Sequence, residues 1–554
     1  MKKLTLIAIL VAMFGIPSRE EEGMWIPMLL GQLNARHMQD LGLKLNADDI
    51  YSVNHSSLKD AIVQFGGGCT GVIVSGEGLL LTNHHCGLSA IQRLSSLDHD
   101  YLSDGFWAAS FEQELPCQGL SVTRLVRMED VTARVLEGVT DQMNLFQREQ
   151  VIRLHVSILE KSASENGRFE TRVRPFFYGN QYYLFVNEVF KDIRLVGAPP
   201  AGIGKFGGDT DNWMWPRHTG DFSVFRIYTS KDGTPSPYSS GNVPYRPARF
   251  LPVSLKGYRE GDFTFIFGYP GTTKEYLTSY GVDLVANQEN PIKVALRGKR
   301  LDIIKAAMES DRLVRIQYAA KANGIANYWK KMMGESSGIR RIDALTTKRE
   351  YETRFRMWAA GEEARRSRYG EVLDALQKSY AELLSPDRVS IYLQEAGQGI
   401  ELVRFAAGFR TLAEVCRKQP AVADDVDKAL QSLKRSAGEF YRNYQPEVDC
   451  RIMAEMLEEL ITNLSGHDRP PVLESMAGKN HEDIQAYSHR IFRESMFADS
   501  IRLYRFLDEF QANRVTRMEK DPAYRLMTGI YEFQEKEVAP AVTRITRQID
   551  SLQR

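Results

Sequence analysis

Residues 69–86 read CTGVIVSGEGLLLTNHHC. Two apolar runs, Val72 to Val74 and Leu79 to Leu81, flank a Gly76-Glu77-Gly78 turn, the pattern of a β-hairpin. The second run leads into Asn83-His84-His85-Cys86, so the hairpin carries two imidazoles to a strand end. Cys69 and Cys86 stand at its two edges, where a disulfide would staple the histidine-bearing loop to its neighbour.

The chain has 554 residues, enough for about two to four domains and for cores that need no cross-link to fold. Its 71 Lys and Arg balance 71 Asp and Glu, so no net field favours nucleic acid or an anionic membrane as a partner. Lys2 and Lys3 precede the apolar run Leu4 to Phe14, which Pro17, Ser18 and Arg19 end; residues 1–18 read as a secretory signal peptide cleaved near Ser18. That run is short of the roughly 18 residues a bilayer span needs, and no other uncharged stretch approaches that length. Export to the periplasm or cell surface is expected, with no membrane insertion once the signal is removed. Five cysteines leave at least one thiol over. Cys69 with Cys86 is the pair expected from position, whereas Cys117, Cys416 and Cys450 lie too far apart in sequence to be paired by argument.

Helical spacing marks Met28 to Leu43, and Asn46-Ala47-Asp48-Asp49 reads as a helix cap before Ile50. From Ala61 the period changes to two, with strands expected over Ala61 to Phe65, Gly71 to Ser75, Leu79 to Asn83 and Ser121 to Met128. Val131 to Ala163 is helical in spacing; Thr171 to Pro175, Tyr182 to Val189 and Ile193 to Ala198 again read as strands. Gly202 to Asp221 is rich in glycine and polar residues and carries tryptophans without a period, so it predicts a long structured loop. The alternating stretch after it sets Asp221 at the mouth of a strand, and Thr264 to Phe267 predicts one more strand. Beyond residue 275 apolar residues recur at three and four, as in Val372, Leu373, Leu376, Tyr380, Leu383 and Leu384, with breaks predicted at Ser385-Pro386, Pro470-Pro471 and Asp521-Pro522.

A histidine beside a cysteine, with an aspartate much later at a strand mouth, supplies two members of a Ser-His-Asp triad, in which His accepts the nucleophile's proton and Asp holds its tautomer. By analogy with protease barrels, where the catalytic histidine directly precedes the disulfide cysteine, the base is His85. Zinc is the competing reading of His84, His85, Cys86, His218, Asp209 and Asp211. Adjacent strand residues face opposite sides and no His-Glu-x-x-His or Cys-x-x-Cys spacing occurs, so no metal is expected. Gly202, Gly204, Gly207 and Gly208 lack the strand-Gly-helix context of a phosphate cradle, and no cofactor is expected. Gly334 to Gly338, with Ser336 and Ser337, follows the helical stretch Tyr328 to Met333 and reads as a loop rather than a nucleophile turn.

The segments FGGGCTGVIVSGEGLLLTNHHCG, DHDYLSDGFW, GKFGGDTDNWMWPRHTGDFSVFRIY and ANYWKK together closely resemble the bacterial dipeptidyl-peptidase 7 and dipeptidyl-peptidase 11 family of serine exopeptidases, over nearly the whole chain. The resemblance implies an α+β protein: a chymotrypsin-like double β-barrel, incomplete here, with a large all-helical domain inserted into it and capping the cleft. Residues 19–274 would then be the N-terminal part of a trypsin-like catalytic domain, and 275–554 the helical cap. By motif it also implies His85 as base, Asp221 as its orienting acid, and Asn212, Trp213 and Asn327 as contacts to the α-amino group of a peptide with a free N-terminus. Amide oxygens accept from an ammonium and a tryptophan face adds a cation-π contact, which suits that task. A homodimer is implied as well.

The family's nucleophile lies in a Gly-Asn-Ser-Gly-Ser-Pro type segment after the helical domain, and the chain holds none before Arg554. A fragment without its nucleophile is therefore expected, giving little hydrolysis by itself. The alternative is a non-catalytic peptide-binding protein of the same fold.

Overall fold

The computed structural model describes residues 24–140, 142–272, 274, 276–418 and 423–554; the expected signal peptide lies outside them. Among the described residues eleven strands form one sheet: β1 (Ile62–Phe65), β2 (Cys69–Ile73), β3 (Leu79–Thr82), β4 (Phe106–Trp107), β5 (Leu115–Pro116), β6 (Val122–Asp130), β7 (Glu170–Phe176), β8 (Gln181–Phe190), β9 (Asp192–Ala198), β10 (Ser223–Thr229) and β11 (Val243–Pro244). Their order is β4-β9-β10-β3-β2-β1-β6-β8-β7, with β11 added on β10 and β5 on β9, and the pairs are antiparallel. The β2–β3 hairpin sets Ile73 opposite Leu80, so both side chains fall on the buried face.

This sheet is rolled. β1 and β10 are three places apart in the order, about 14 Å in a flat sheet, yet the rings of Phe65 and Phe225 meet with centroids 4.8 Å apart. Phe190 of β8 meets Tyr245, just past β11, at 4.7 Å in the same way. Val63, Phe65, Ile73, Leu80, Val122, Phe190, Ile193, Leu195, Phe225 and Ile227 share the enclosed core, as the alternation of apolar residues along each strand requires for a barrel-like wall.

The edges of this unit explain where the site falls. Thr82, the last residue of β3, pairs with Ser223, the first of β10. Asn83 to His85 and Asp221 to Phe222 therefore leave the sheet side by side, although 136 positions separate His85 from Asp221. The chain continues from β3 directly into helix α1 (His84–Leu94), and Cys86 in its first turn is disulfide-bonded to Cys69 of β2. Closing a loop of 17 residues is worth about 3 kcal/mol through the unfolded chain. Cys69→Ala/Cys86→Ala is expected to lower the stability of the sheet unit by about that amount in a denaturant titration; an unmoved midpoint would contradict it. Cys117, Cys416 and Cys450 are free thiols.

From Ser279 onward every regular element among the described residues is helical, including α2 (Asn290–Ser310), α3 (Arg312–Arg341), α4 (Val372–Tyr392) and α5 (Ala539–Gln553). Leu402, Phe409, Met453, Met456, Leu457 and Leu460 belong to its main core. α3 is bolted to the sheet unit at its N-terminal half. Ile316 enters the sheet core, and the buried carboxylate of Asp100 accepts from Arg312 and Arg315 at 3.4 and 3.3 Å. Gln92 of α1 donates to the Gln317 carbonyl and accepts from the Ala320 N–H, both at 2.9 Å. Asn327 lies seven residues beyond Ala320, two turns along the same face and about 10 Å further.

Three expectations fail away from the site, and the helical stretch read over Val131 to Ala163 is interrupted, its helices spanning Thr132–Val135 and Leu145–Ala163. Thr264 to Phe267 is not a strand; Ile266 is 99% exposed, and Phe263 and Phe267 instead pack against Leu30, Met38, Leu43 and Ile50. A strand forms only where another edge accepts its hydrogen bonds. Gly334 to Gly338 is not a loop, because α3 runs through it and buried Ser336 accepts from Asn290 Nδ2 at 3.1 Å. Glycine costs a helix only about 1 kcal/mol per residue, which packing overrides. Ser385-Pro386 does not end its helix either: α4 continues to Tyr392, burying Val389, Ile391 and Tyr392 beyond the proline.

Candidate active site

His84 and His85, expected at a strand end, instead form the first turn of α1. Successive residues on a helix diverge by about 100°, and here the divergence separates inside from outside. His84 is 1% exposed, whereas the His85 side chain is 52% exposed. Burial holds the His84 imidazole below its ordinary basicity, with Asp221 opposing and His85 adding to the shift.

His85 Nδ1 lies 2.7 Å from Asp221 Oδ2. The backbone N–H of His85 donates to Asp221 Oδ1 at 3.0 Å, and Asn83 Nδ2 donates to Oδ2 at 3.2 Å and to the Asp221 carbonyl at 3.1 Å. Burial alone would raise the Asp221 carboxyl, but the ring and backbone bonds from His85 outweigh it and leave the carboxyl below its usual range. A carboxylate gripped at both oxygens fixes the ring and keeps Nδ1 as the protonated nitrogen, so that Nε2 is the free base. No serine is hydrogen-bonded to His85 among the described residues.

The loop between β9 and β10 brings the other expected residues together. Asn212 Nδ2 donates to Asn327 Oδ1 at 3.1 Å, and Trp213 Nε1 donates to Asn327 Oδ1 at 3.0 Å and to its carbonyl at 3.2 Å. Trp213 is 58% exposed and has φ of +59°, a left-handed conformation that costs a non-glycine residue about 1–2 kcal/mol. Strain of this kind persists where surrounding bonds over-determine it, and here the indole is tied to Asn327 of α3. Asp209, two residues before Asp211, forms ion pairs with Lys305 of α2 at 2.8 Å and Lys205 at 3.5 Å. Burial opposes its ionisation, but the two ammonium groups prevail and lower its pKa.

Of the residues weighed for zinc, Cys86 is in the disulfide, His85 is hydrogen-bonded to Asp221 and Asp209 is in its ion pairs. Glu455, Glu458 and His481 form another group with ligand atoms within 4.8 Å of one another, but Lys299 Nζ lies 3.3 Å from Glu455 and 2.8 Å from Glu459 and supplies positive charge there already. Sequence reasoning missed Asn83, Lys205, Lys305 and Gln92. Asn83 was legible in principle, being adjacent to the histidines, and so was Lys205, four residues before Asp209; Lys305 and Gln92 act between the sheet unit and the helices and leave no local signal.

A sequence model described as Peptidase S46 matches residues 20–554. The Asp/Glu-specific dipeptidyl-peptidase of Flavobacterium psychrophilum is 41% identical over 539 residues, 97% of this chain and 74% of that protein. Dipeptidyl-peptidase 7 of Porphyromonas gingivalis is 39% identical over 530 residues, 94% of this chain and 72% of that protein. Among solved structures, Porphyromonas endodontalis DPP11 in complex with the dipeptide Arg-Glu superposes with a TM-score of 0.84 at 34% identity, covering 96% of this chain and 76% of that one.

Proposed function

Because the chain belongs to the peptidase S46 family, a family of serine-type dipeptidyl peptidases, we propose that it releases dipeptides from the free N-termini of peptides through an acyl-enzyme, with His85 as general base and Asp221 as the residue that orients it. The observation that carries this reading is the two-point grip of Asp221 on the ring and backbone of His85. The nucleophile in this chemistry is a serine hydroxyl. His85 Nε2 takes the serine proton as the hydroxyl attacks the scissile carbonyl and returns it to the departing amine; Asp221 stabilises the imidazolium between those steps.

Asn212, Trp213 and Asn327 hold the substrate's α-ammonium. Asn212 Oδ1 accepts from it, Asn327 Oδ1 does so in exchange for a donor of Asn212 or Trp213, and the exposed indole offers its face. Anchoring the amine at a fixed distance from His85 is what sets the length of the product at two residues. The protein is exported, a reading supported by the lysines and apolar run at its N-terminus and by the Cys69–Cys86 bridge. It acts as a homodimer, which rests on family resemblance alone.

Product analysis tests the activity. The enzyme given an unblocked decapeptide is expected to yield dipeptides in succession from the N-terminus, read by mass spectrometry. Single amino acids or internal fragments would overturn the assignment.

A further inference from the structure

The proposed chemistry uses His85 and leaves its neighbour without a task. His84 is fully buried, and its Nε2 has no hydrogen-bond partner. An unpaired buried nitrogen is a cost that an apolar side chain would avoid, so the ring must return something through its other contacts. Two of these go to one place. The Pro199 carbonyl accepts from the ring, and a Cβ at Gly204 would lie 2.4 Å from His84 Cδ2 and 2.5 Å from Cγ. The Gly204 backbone thus rests on the imidazole with no room for a methyl group.

Pro199 to Gly204 opens the loop that carries Asn212 and Trp213. Its returning limb is tied back to it, since the Gly220 N–H donates to the Ile203 carbonyl at 3.0 Å and Thr219 Oγ1 to the Phe206 carbonyl at 2.7 Å. The next residue, Asp221, grips His85. The two adjacent histidines therefore hold both limbs of one loop, His84 the outgoing limb and His85 the returning one.

We propose that His84 is a positioning residue: its ring is the platform that sets the Pro199–Gly204 turn, and through it the placement of Asn212 and Trp213 against Asn327, so that recognition of the substrate amine depends on a side chain that touches no substrate. This rests on the assignment of those three residues to the α-ammonium. Asn212 follows Gly204 by only eight residues, and the ion pairs of Asp209 and the clasp at Gly220 leave little slack between platform and tip.

The test is binding, so it does not depend on turnover. The 554-residue chain is titrated with a pentapeptide carrying a free N-terminus and with its N-acetylated twin, and each variant's thermal midpoint is recorded alongside. His84→Ala is expected to weaken binding of the free peptide at least tenfold while leaving the acetylated peptide unchanged. Gly204→Ala, which drives a methyl group into the ring, gives the same loss. In the double variant the methyl group added at position 204 takes space vacated by the imidazole, and the ratio of the two affinities returns to within about threefold of the parent. Losses that multiply in the double variant, or a folded His84→Ala that discriminates like the parent, overturn the proposal. Should His84→Ala fail to fold, Gly204→Ala alone decides, a parent-like ratio overturning it. A parent chain that does not distinguish the peptides overturns the amine-site reading and this one with it; a discriminating parent matched by its variants overturns only this one.

Discussion

Replacing His85 with alanine is expected to lower kcat of the enzyme by about 10⁴ or more, because the serine hydroxyl then has no base within reach and the departing amine no acid. Asp221→Asn should cost nearly as much, about 10⁴. Both Asp221 oxygens accept: Oδ1 from the His85 backbone, Oδ2 from the His85 ring and Asn83. An asparagine offers one oxygen and an NH₂, so it either abandons the backbone N–H or presents a donor to Nδ1 and forces the wrong tautomer. Since the two residues act as a unit, the double variant should be little worse than either single one. Steady-state kinetics with matched thermal midpoints check this, and a single variant retaining a tenth of parent kcat would refute the assignment.

The same carboxylate gives a pH signature. Its folded pKa lies below the usual carboxylate range, so it contributes stability that is present above the unfolded value of about 3.9 and is lost as pH falls through the folded pKa. Asp221→Asn should flatten that part of the acid limb of a stability profile. Above it Asp221 stays ionised, and a change in activity nearer neutrality does not report on this residue.

The second large effect concerns the other end of the substrate. Asn327→Leu keeps the shape of the side chain but removes the oxygen that collects the Asn212 and Trp213 donors. Two or three contacts to a charged amine, each worth about 1.5–3 kcal/mol, place the expected loss in kcat/KM near 10³. Acetylating the substrate should cost the parent enzyme a comparable factor, because the amide oxygens are then left facing a group that cannot donate as an ammonium does. In Asn327→Leu the preference for free over acetylated peptide should shrink to within about tenfold. A variant that kept the full preference would move the amine anchor elsewhere.

Much of this was legible from local pattern. The period-two runs became β1, β2, β3, β6, β7, β8, β9 and β10 within a residue or two at most ends, and the cap at Asn46 is present as a reciprocal Asn46–Asp49 pair. Cys69 and Cys86 are bridged, and His85 meets Asp221. The misreadings share a cause. Thr264 to Phe267 has strand composition but no partner edge, and Ser336 and Pro386 sit in helices that their neighbours hold together across a locally unfavourable residue.

By itself, then, the sequence determined most of the element types, the hairpin with its disulfide, and the residue kinds gathered at the candidate site, because alternation, helical spacing and turn chemistry are written in neighbouring residues. Only the tertiary structure decided which imidazole is exposed, that both histidines begin a helix, and that Asn327 arrives beside Trp213 by way of a helix bolted to Asp100 and Gln92. Those outcomes depend on contacts between residues more than a hundred positions apart, where packing and buried hydrogen bonds outweigh local preferences of a few tenths to about 1 kcal/mol per residue.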